Sequence, residues 1–291
     1  MNTTKILVPV DFTEVSDLAV EHAIAFAKRT DAEINLLHVI DKKLTVIGKT
    51  SDYDNRLLAQ DIVEKLQDIA YNIETRKGLK AEIIAIPGNI FDTINSVASE
   101  IDANFVFMGT HGLKGWQHLR GSNALRVIYH SPVPFILSTG KGPSETPFKK
   151  IVFPIDIRIE SAQKTNWAIY FAKFFGSEVH IIYPDVADKY LHRKVQQNLA
   201  FVKKVLSKNA VPFTVTESDK DHNSLADETN RLAAEISADL IMIMIYPAKG
   251  AGEFFLTPDQ QKVIENKAHI PVICINPSNL FLLQTILAIE E

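Results

Sequence analysis

Apolar and polar positions along this chain follow two alternating rhythms. Short, continuous apolar runs of strand type fall near residues 5–10, 34–39, 81–86, 104–108 and 134–138. Between them, apolar residues recur three and four apart, which predicts amphipathic helices near 14–29, 55–76, 91–101 and 122–130. The first of these carries Leu18, Ala19, Ala23, Ala25, Phe26 and Ala27. Strands joined by crossover helices predict an α/β fold with a parallel, doubly wound sheet. Near-continuous apolar strands are what burial under helices on both faces requires.

The pattern then starts again. Ile151-Val152-Phe153-Pro154-Ile155-Asp156 restates Ile6-Leu7-Val8-Pro9-Val10-Asp11, and Ala238-Asp239-Leu240-Ile241-Met242 echoes Ala103-Asn104-Phe105-Val106-Phe107. Ile270-Pro271-Val272-Ile273-Cys274-Ile275 likewise echoes Val133-Pro134-Phe135-Ile136-Leu137. A repeat this long means two copies of one domain rather than a solenoid. The seam is Thr139-Gly140-Lys141-Gly142-Pro143-Ser144-Glu145-Thr146-Pro147, with the glycine, proline and polar content of a linker. The expected units are 1–140 and 148–279, followed by an apolar tail over 280–291.

The chemistry concentrates where the run Phe105-Val106-Phe107-Met108 stops at Gly109. A loop containing Gly109, Gly112, Gly115 and Gly121 follows, and Gly121-Ser122 opens the next helical pattern. Glycines let backbone N–H groups approach an anion closely, and a helix start offers unpaired donors and a positive dipole end. Ser122 suits either a helix cap or a phosphate ligand. Read alone, the loop is equally a glycine-rich turn. A second signal belongs to the same edge, because Asp11 ends the first strand and ligands of such sheets sit at the carboxyl ends of strands. Asp11 is open to two readings, a ligand for hydroxyl or amino groups, or a cap on the helix starting near Thr13.

The Asp-ending first strand together with the late glycine loop resembles the universal stress protein family. Its loop pattern is Gly-x2-Gly, a nine-residue spacer, then Gly-Ser/Thr. Gly109, Gly112, Gly121 and Ser122 match it, with eight residues between Gly112 and Gly121. The resemblance spans the first half and implies a Rossmann-like, adenine nucleotide alpha hydrolase-like fold in two tandem copies. It further implies ATP as ligand, with Mg2+. Pro9, Val10, Asp11 and Val39 would face base and sugar, Met108 and Gly109 would line the nucleoside, and Gly112, Gly121, Ser122 and Asn123 would meet the phosphates.

Composition narrows the rest. At 291 residues each half is long enough for its own core. A formal net charge of −4 gives no drive toward nucleic acid or anionic membrane. One cysteine, Cys274, fits a reducing compartment. Met1-Asn2-Thr3-Thr4 leads straight into a core strand, and no apolar run reaches membrane-spanning length, so a soluble, cytoplasmic protein is expected. The second half departs at its loop: Gly-x2-Gly is absent after Met244, Pro247 removes a donor, and Glu253 and Asp259 would repel phosphate. It reads as a degenerate copy kept for architecture or for a different ligand.

Gly48-Lys49-Thr50 fails as a P-loop because Lys43 stands where its first glycine belongs. His38, His111, His118 and His130 lack metal-ligand spacing, and no nucleophile elbow occurs. The resemblance implies a stress-sensing or signalling role, and since nothing supplies an evident base for an attacking water, any ATP hydrolysis is expected to be slow. The rivals are an interaction scaffold without nucleotide and a nucleotide-using enzyme of related fold. The latter lacks support, since neither His-x-Gly-His nor Ser-Gly-Gly-x-Asp-Ser follows the first strand. The apolar last strand of each half belongs at a sheet edge, and because single-domain members of the family it resembles dimerise through this element, the resemblance implies that the two pair as an internal pseudo-dimer. The tail Leu280-Phe281-Leu282-Leu283 through Ile289 suggests a homodimer interface.

Overall fold

The computed structural model describes residues 3–41, 52–110, 127–218, 224–246 and 257–276. The first half contributes β1 (Lys5–Pro9), α1 (Glu14–Thr30), β2 (Glu33–Asp41), α2 (Asp52–Lys77), β3 (Ala81–Gly88), α3 (Ile90–Glu100), β4 (Phe105–Gly109) and β5 (Phe135–Ser138). The second contributes β6 (Lys150–Pro154), α4 (Ile159–Gln163), α5 (Thr165–Phe175), β7 (Glu178–Pro184), α6 (Lys189–Lys208) and β8 (Phe213–Ser218). It ends with α7 (Leu225–Glu235), β9 (Leu240–Met244), α8 (Pro258–Ile264) and β10 (Val272–Ile275). Of the helix expected near 122–130, residues 127–129 are described and helical.

These strands form one ten-stranded sheet in the order β3-β2-β1-β4-β5-β10-β9-β6-β7-β8. Pairings within each half are parallel, as in a doubly wound α/β fold. Between the halves β5 and β10 run antiparallel, with Ile136 opposite Ile273. Each half's last strand would be an edge if that half stood alone. Here the other half satisfies its backbone groups, the internal pairing expected from the sequence.

The register repeats. Ile6 pairs with Phe105 across β1 and β4, and Ile151 pairs with Leu240 across β6 and β9. Even the entry to the first strand is copied: the Lys5 N–H donates to Asn104 Oδ1 (2.8 Å), and the Lys150 N–H to Asp239 Oδ2 (2.9 Å). Alternate strand residues point to opposite faces, so Ile6 and Val8 join one core while Leu7 joins the other. The first core lies under α1, α2, α5 and α6, the second under α3, α7 and α8.

Aromatic rings knit the halves on the first face. Phe26 of α1 lies 4.9 Å from Phe105 and 6.3 Å from Tyr170 of α5, and Trp167 lies 5.3 Å from Phe105. Truncating one such buried ring costs about 3–5 kcal/mol. The linker is anchored too. Buried His22 donates from Nε2 to the Lys141 carbonyl (2.9 Å), and the Ser144 hydroxyl to Asp239 (2.7 Å). Gly140 takes φ 62°, and a Cβ there would come within 2.9 Å of the His269 ring. No described helix is long and apolar enough to cross a membrane.

Candidate functional site

The order β2-β1-β4 sets three strand ends side by side at the point where the chain reverses its direction of travel across the first half, where a crevice opens in such sheets. Pro9 closes β1, half-buried. Val10 is buried and its N–H donates to the Leu37 carbonyl (2.8 Å). Val39 sits half-buried in β2 opposite Ile86, and Met108 and Gly109 close β4, also half-buried. Gly112, Gly121, Ser122 and Asn123 lie outside the described residues, as do His111, His118 and the loop's Trp116, Lys114 and Arg120.

Asp11 is exposed, and its Oδ1 accepts from the Thr13 N–H (3.1 Å) and the Thr13 hydroxyl (2.5 Å). The N-cap of α1 is Thr13 itself, whose oxygen accepts from the Ser16 N–H (3.4 Å). Asp11 therefore orients the cap instead of forming it. Between them Phe12 takes φ 61°, a left-handed conformation costing about 1–2 kcal/mol for a residue with a Cβ. Its ring is offset by stacking on His38 (centroids 4.8 Å apart), which donates from Nδ1 to the Val10 carbonyl (2.8 Å). His38 is thus a hydrogen-bonded support of this turn.

Gly109 has a packing reason to be glycine. A Cβ there would stand 2.1 Å from the Val15 carbonyl oxygen, so the first turn of α1 rests directly on the strand. Just beyond, the hydroxyls of Thr110 and Ser138 are buried without a hydrogen-bond partner. Such orphans are uncommon in folded proteins. The field near Asp11 is negative. Partial burial first, then Asp11, Glu14 and Glu21, push the Asp17 carboxyl above its ordinary range. A phosphate would be repelled here, whereas sugar hydroxyls would not.

The second half presents a different edge. A cavity of about 300 Å³ opens at the ends of β6, β7 and β9, bounded by α4, α7 and α8. Asp156 keeps the local habit of Asp11, accepting from the N–H two residues on (Arg158, 2.8 Å), and also pairs with Arg158 Nη1 (3.1 Å). The Arg158 guanidinium lies over the Tyr246 ring, 4.3 Å from its centre. The Tyr246 hydroxyl is buried and without a partner, and burial, reinforced by Asp156, raises its proton affinity.

Lys164 lies fully buried on the cavity wall. Its Nζ donates to the Pro154 (2.6 Å) and Ser161 (2.7 Å) carbonyls, 3.9 Å from the Phe153 ring centre. Burial pulls its pKa down to about 7, against the attraction of Asp156. Counting from the matched strands, Lys164 stands where α1 has Ala19, and the helix that is continuous in the first half is split here into α4 and α5. Two neighbouring helix starts are closed by capping boxes, Ser224 with Asp227 and Thr257 with Gln260. Among the described residues no cluster of three or more His, Cys, Asp or Glu could hold a metal ion.

Reading by sequence missed Phe12 and His38, whose partnership depends on a left-handed turn, and the cavity of the second half. One signal for the latter was available: a lysine at a helix position that is apolar in the first copy.

A sequence profile described as the Universal stress protein family matches residues 2–138. The chain is 30% identical over 144 residues to universal stress protein G of Salmonella typhimurium, covering 45% of this chain and 96% of that one. It is 29% identical over 151 residues to a universal stress protein of Methanocaldococcus jannaschii, covering 46% of this chain and 93% of the relative. A crystal structure of a universal stress protein from Archaeoglobus fulgidus superposes with a TM-score of 0.75 at 22% identity, covering 95% of this chain and 99% of that one, a likeness of fold.

Proposed function

This chain belongs to the universal stress protein family, and on that premise we propose that residues 1–140 form a domain binding ATP with Mg2+. Residues 148–279 then form a second domain and 280–291 an apolar tail. The observation that carries the reading is the convergence of Pro9, Val10, Asp11, Val39, Met108 and Gly109 on one strand edge at the chain reversal. Half-buried Val39 and Met108 offer an apolar slot for a purine, and the Asp11 carboxylate an acceptor for ribose hydroxyls. The buried, unpartnered Thr110 hydroxyl is a further polar group that a bound nucleotide would satisfy. Gly112, Gly121, Ser122 and Asn123 are the proposed phosphate donors. The bound metal would offset phosphate charge.

The role is stress sensing or signalling in the cytoplasm, without fast chemistry. Nucleotide released on denaturation and identified by mass spectrometry tests the ligand. Gly112→Val should weaken ATP binding at least tenfold, about 1.4 kcal/mol, by calorimetry. Equal affinity would remove the glycine loop from the site. The packing of Gly109 against Val15 favours a second reading, a scaffold whose glycine serves only the fold, and absence of any ATP binding would select it. A homodimer through the tail is part of the proposal. Light scattering should give twice the chain mass, falling to one chain when the protein ends at Pro277.

A further inference from the structure

Helices α2 and α6 hold the same place in the two halves, each following the second strand of its copy and covering the first core. Their charges have diverged. Residues 52–77 of α2 include six Asp or Glu and four Lys or Arg. Residues 189–208 of α6 include no acid and six bases: Lys189, Arg193, Lys194, Lys203, Lys204 and Lys208. The formal net charge of −4 for the whole chain conceals this segment.

One side of α6 is fixed to the body. Val195, Leu199, Val202 and Leu206 are buried, and Asn198 Nδ2 donates to the Asp156 and Arg158 carbonyls (both 2.9 Å). Side chains turn about 100° per residue around a helix, which puts the six cations on the opposite, outward arc. Five of them are exposed, and half-buried Lys194 lies over the Tyr190 ring, 4.6 Å from its centre. None of the six has an ion-pair partner among the described residues. The adjacent acid, Asp188, accepts from the Tyr190 and Leu191 N–H groups as the N-cap. Two rings interrupt the basic stripe, Tyr190 at 65% and Phe201 at 49% exposure. They stand three turns apart on one side of the helix, a rise of about 16 Å.

We propose that the outward face of α6 docks on an anionic lipid bilayer, with its cations in the headgroup field and Tyr190 and Phe201 at the headgroup boundary. The cations select a polyanion. The rings decide which one. On a bilayer, two rings on one side of a straight helix reach the same plane whatever their spacing, and aromatic rings are favoured at that depth. Rings about 16 Å apart cannot stack on neighbouring bases of a single strand, and a duplex keeps its bases stacked within itself. Five of the six cations are lysines, point charges without the planar fork that grips one phosphate, and they suit a diffuse charged surface.

The inference stands independently of nucleotide binding in the first half, and its test uses the full chain without nucleotide. Vesicles of equimolar phosphatidylcholine and phosphatidylserine should carry the protein upward in a flotation gradient at low salt. Phosphatidylcholine alone should not, and added salt should release the protein. Arg193→Gln combined with Lys204→Gln alters two exposed positions. It should weaken binding to the mixed vesicles about tenfold or more and leave thermal unfolding unchanged. Tyr190→Trp should shift its fluorescence to shorter wavelength with the mixed vesicles only. The proposal is overturned if the mixed vesicles do not bind, if phosphatidylcholine alone binds equally, or if the double variant binds as well as the natural chain. An unshifted Tyr190→Trp emission, or a DNA duplex bound in preference to the mixed vesicles, would overturn it as well.

Discussion

The edge formed by β1 and β4 and the edge formed by β6 and β9 share one register, and three of the corresponding positions at which they differ set their character: Thr13 against Arg158, Ala19 against Lys164, and Gly109 against Met244. Where Gly109 lets the Val15 carbonyl close onto the strand, Met244 lines a cavity. Where Thr13 caps a continuous helix, Arg158 makes no side-chain cap and the helix breaks five residues later. The strands themselves barely change, because each is buried on both faces and any change of volume there is felt by two layers. Residues at strand ends touch less of the core, so duplication leaves them free to take on new chemistry.

The largest effect should come from Lys164→Met. In the folded chain Lys164 titrates near pH 7, in the unfolded chain near 10.5. Between those values the unfolded state holds more protons, so stability rises with pH, and the penalty of the buried charge is fully present below pH 7. Each pH step between the two titrations is worth about 1.4 kcal/mol. Denaturant unfolding at pH 7 and pH 10 should therefore show the natural chain gaining several kcal/mol relative to the variant. A constant difference would mean that the folded-state amine titrates as it does in the unfolded chain and stays charged across this range. The counterpart change Ala19→Met should show no such pH dependence.

A middle-sized effect separates the two aspartates. Asp11→Ala should lower ATP affinity by about 1–3 kcal/mol through lost hydrogen bonds, whereas Asp156→Ala should leave it unchanged, with one nucleotide per chain. Two equivalent sites in the titration would erase the distinction drawn between the edges.

The smallest effect concerns His22, whose position is Trp167 in the second half. Burial holds the His22 pKa below its ordinary value, the Lys141 carbonyl and Glu21 opposing, and its Nδ1 is buried without a partner. The unfolded state therefore takes up a proton first as pH falls below about 6.5, and stability contributed by neutral His22 is lost from there downward. Thermal unfolding between pH 7 and 5 should decline more steeply in the natural chain than in His22→Gln, and parallel curves would exclude this source.

Most of the fold was legible because it rests on periodicity. The strand runs and the repeat of Ile6–Asp11 in Ile151–Asp156 place β1 and β6, and the burial of both faces explains their unbroken apolar character. The strand-end positions of the proposed site follow from the same periodicity, since Asp11 and Gly109 fall at or just past the ends of β1 and β4. What could not be read were features decided by close approach: the left-handed turn at Phe12, the Val15 backbone against Gly109, and the split helix at Lys164. A pattern of apolar positions carries no information about which neighbour fills a space. The glycine loop from 111 to 126 and the tail fall outside the described residues.

The pairing of β5 with β10 also sets an order on the making of the protein. On the ribosome β5 is finished long before β10 exists. At about 5–20 residues per second, the intervening stretch takes on the order of ten seconds to synthesise. Throughout that interval the Phe135–Ser138 edge of a newborn first half is without its β10 partner. Antiparallel pairing centred on Ile136 is self-complementary in direction, so two nascent chains on one message could join through the strand that each should reserve for its own C-terminal end. The speed with which β10 arrives and docks thus separates correct closure from an exchanged dimer.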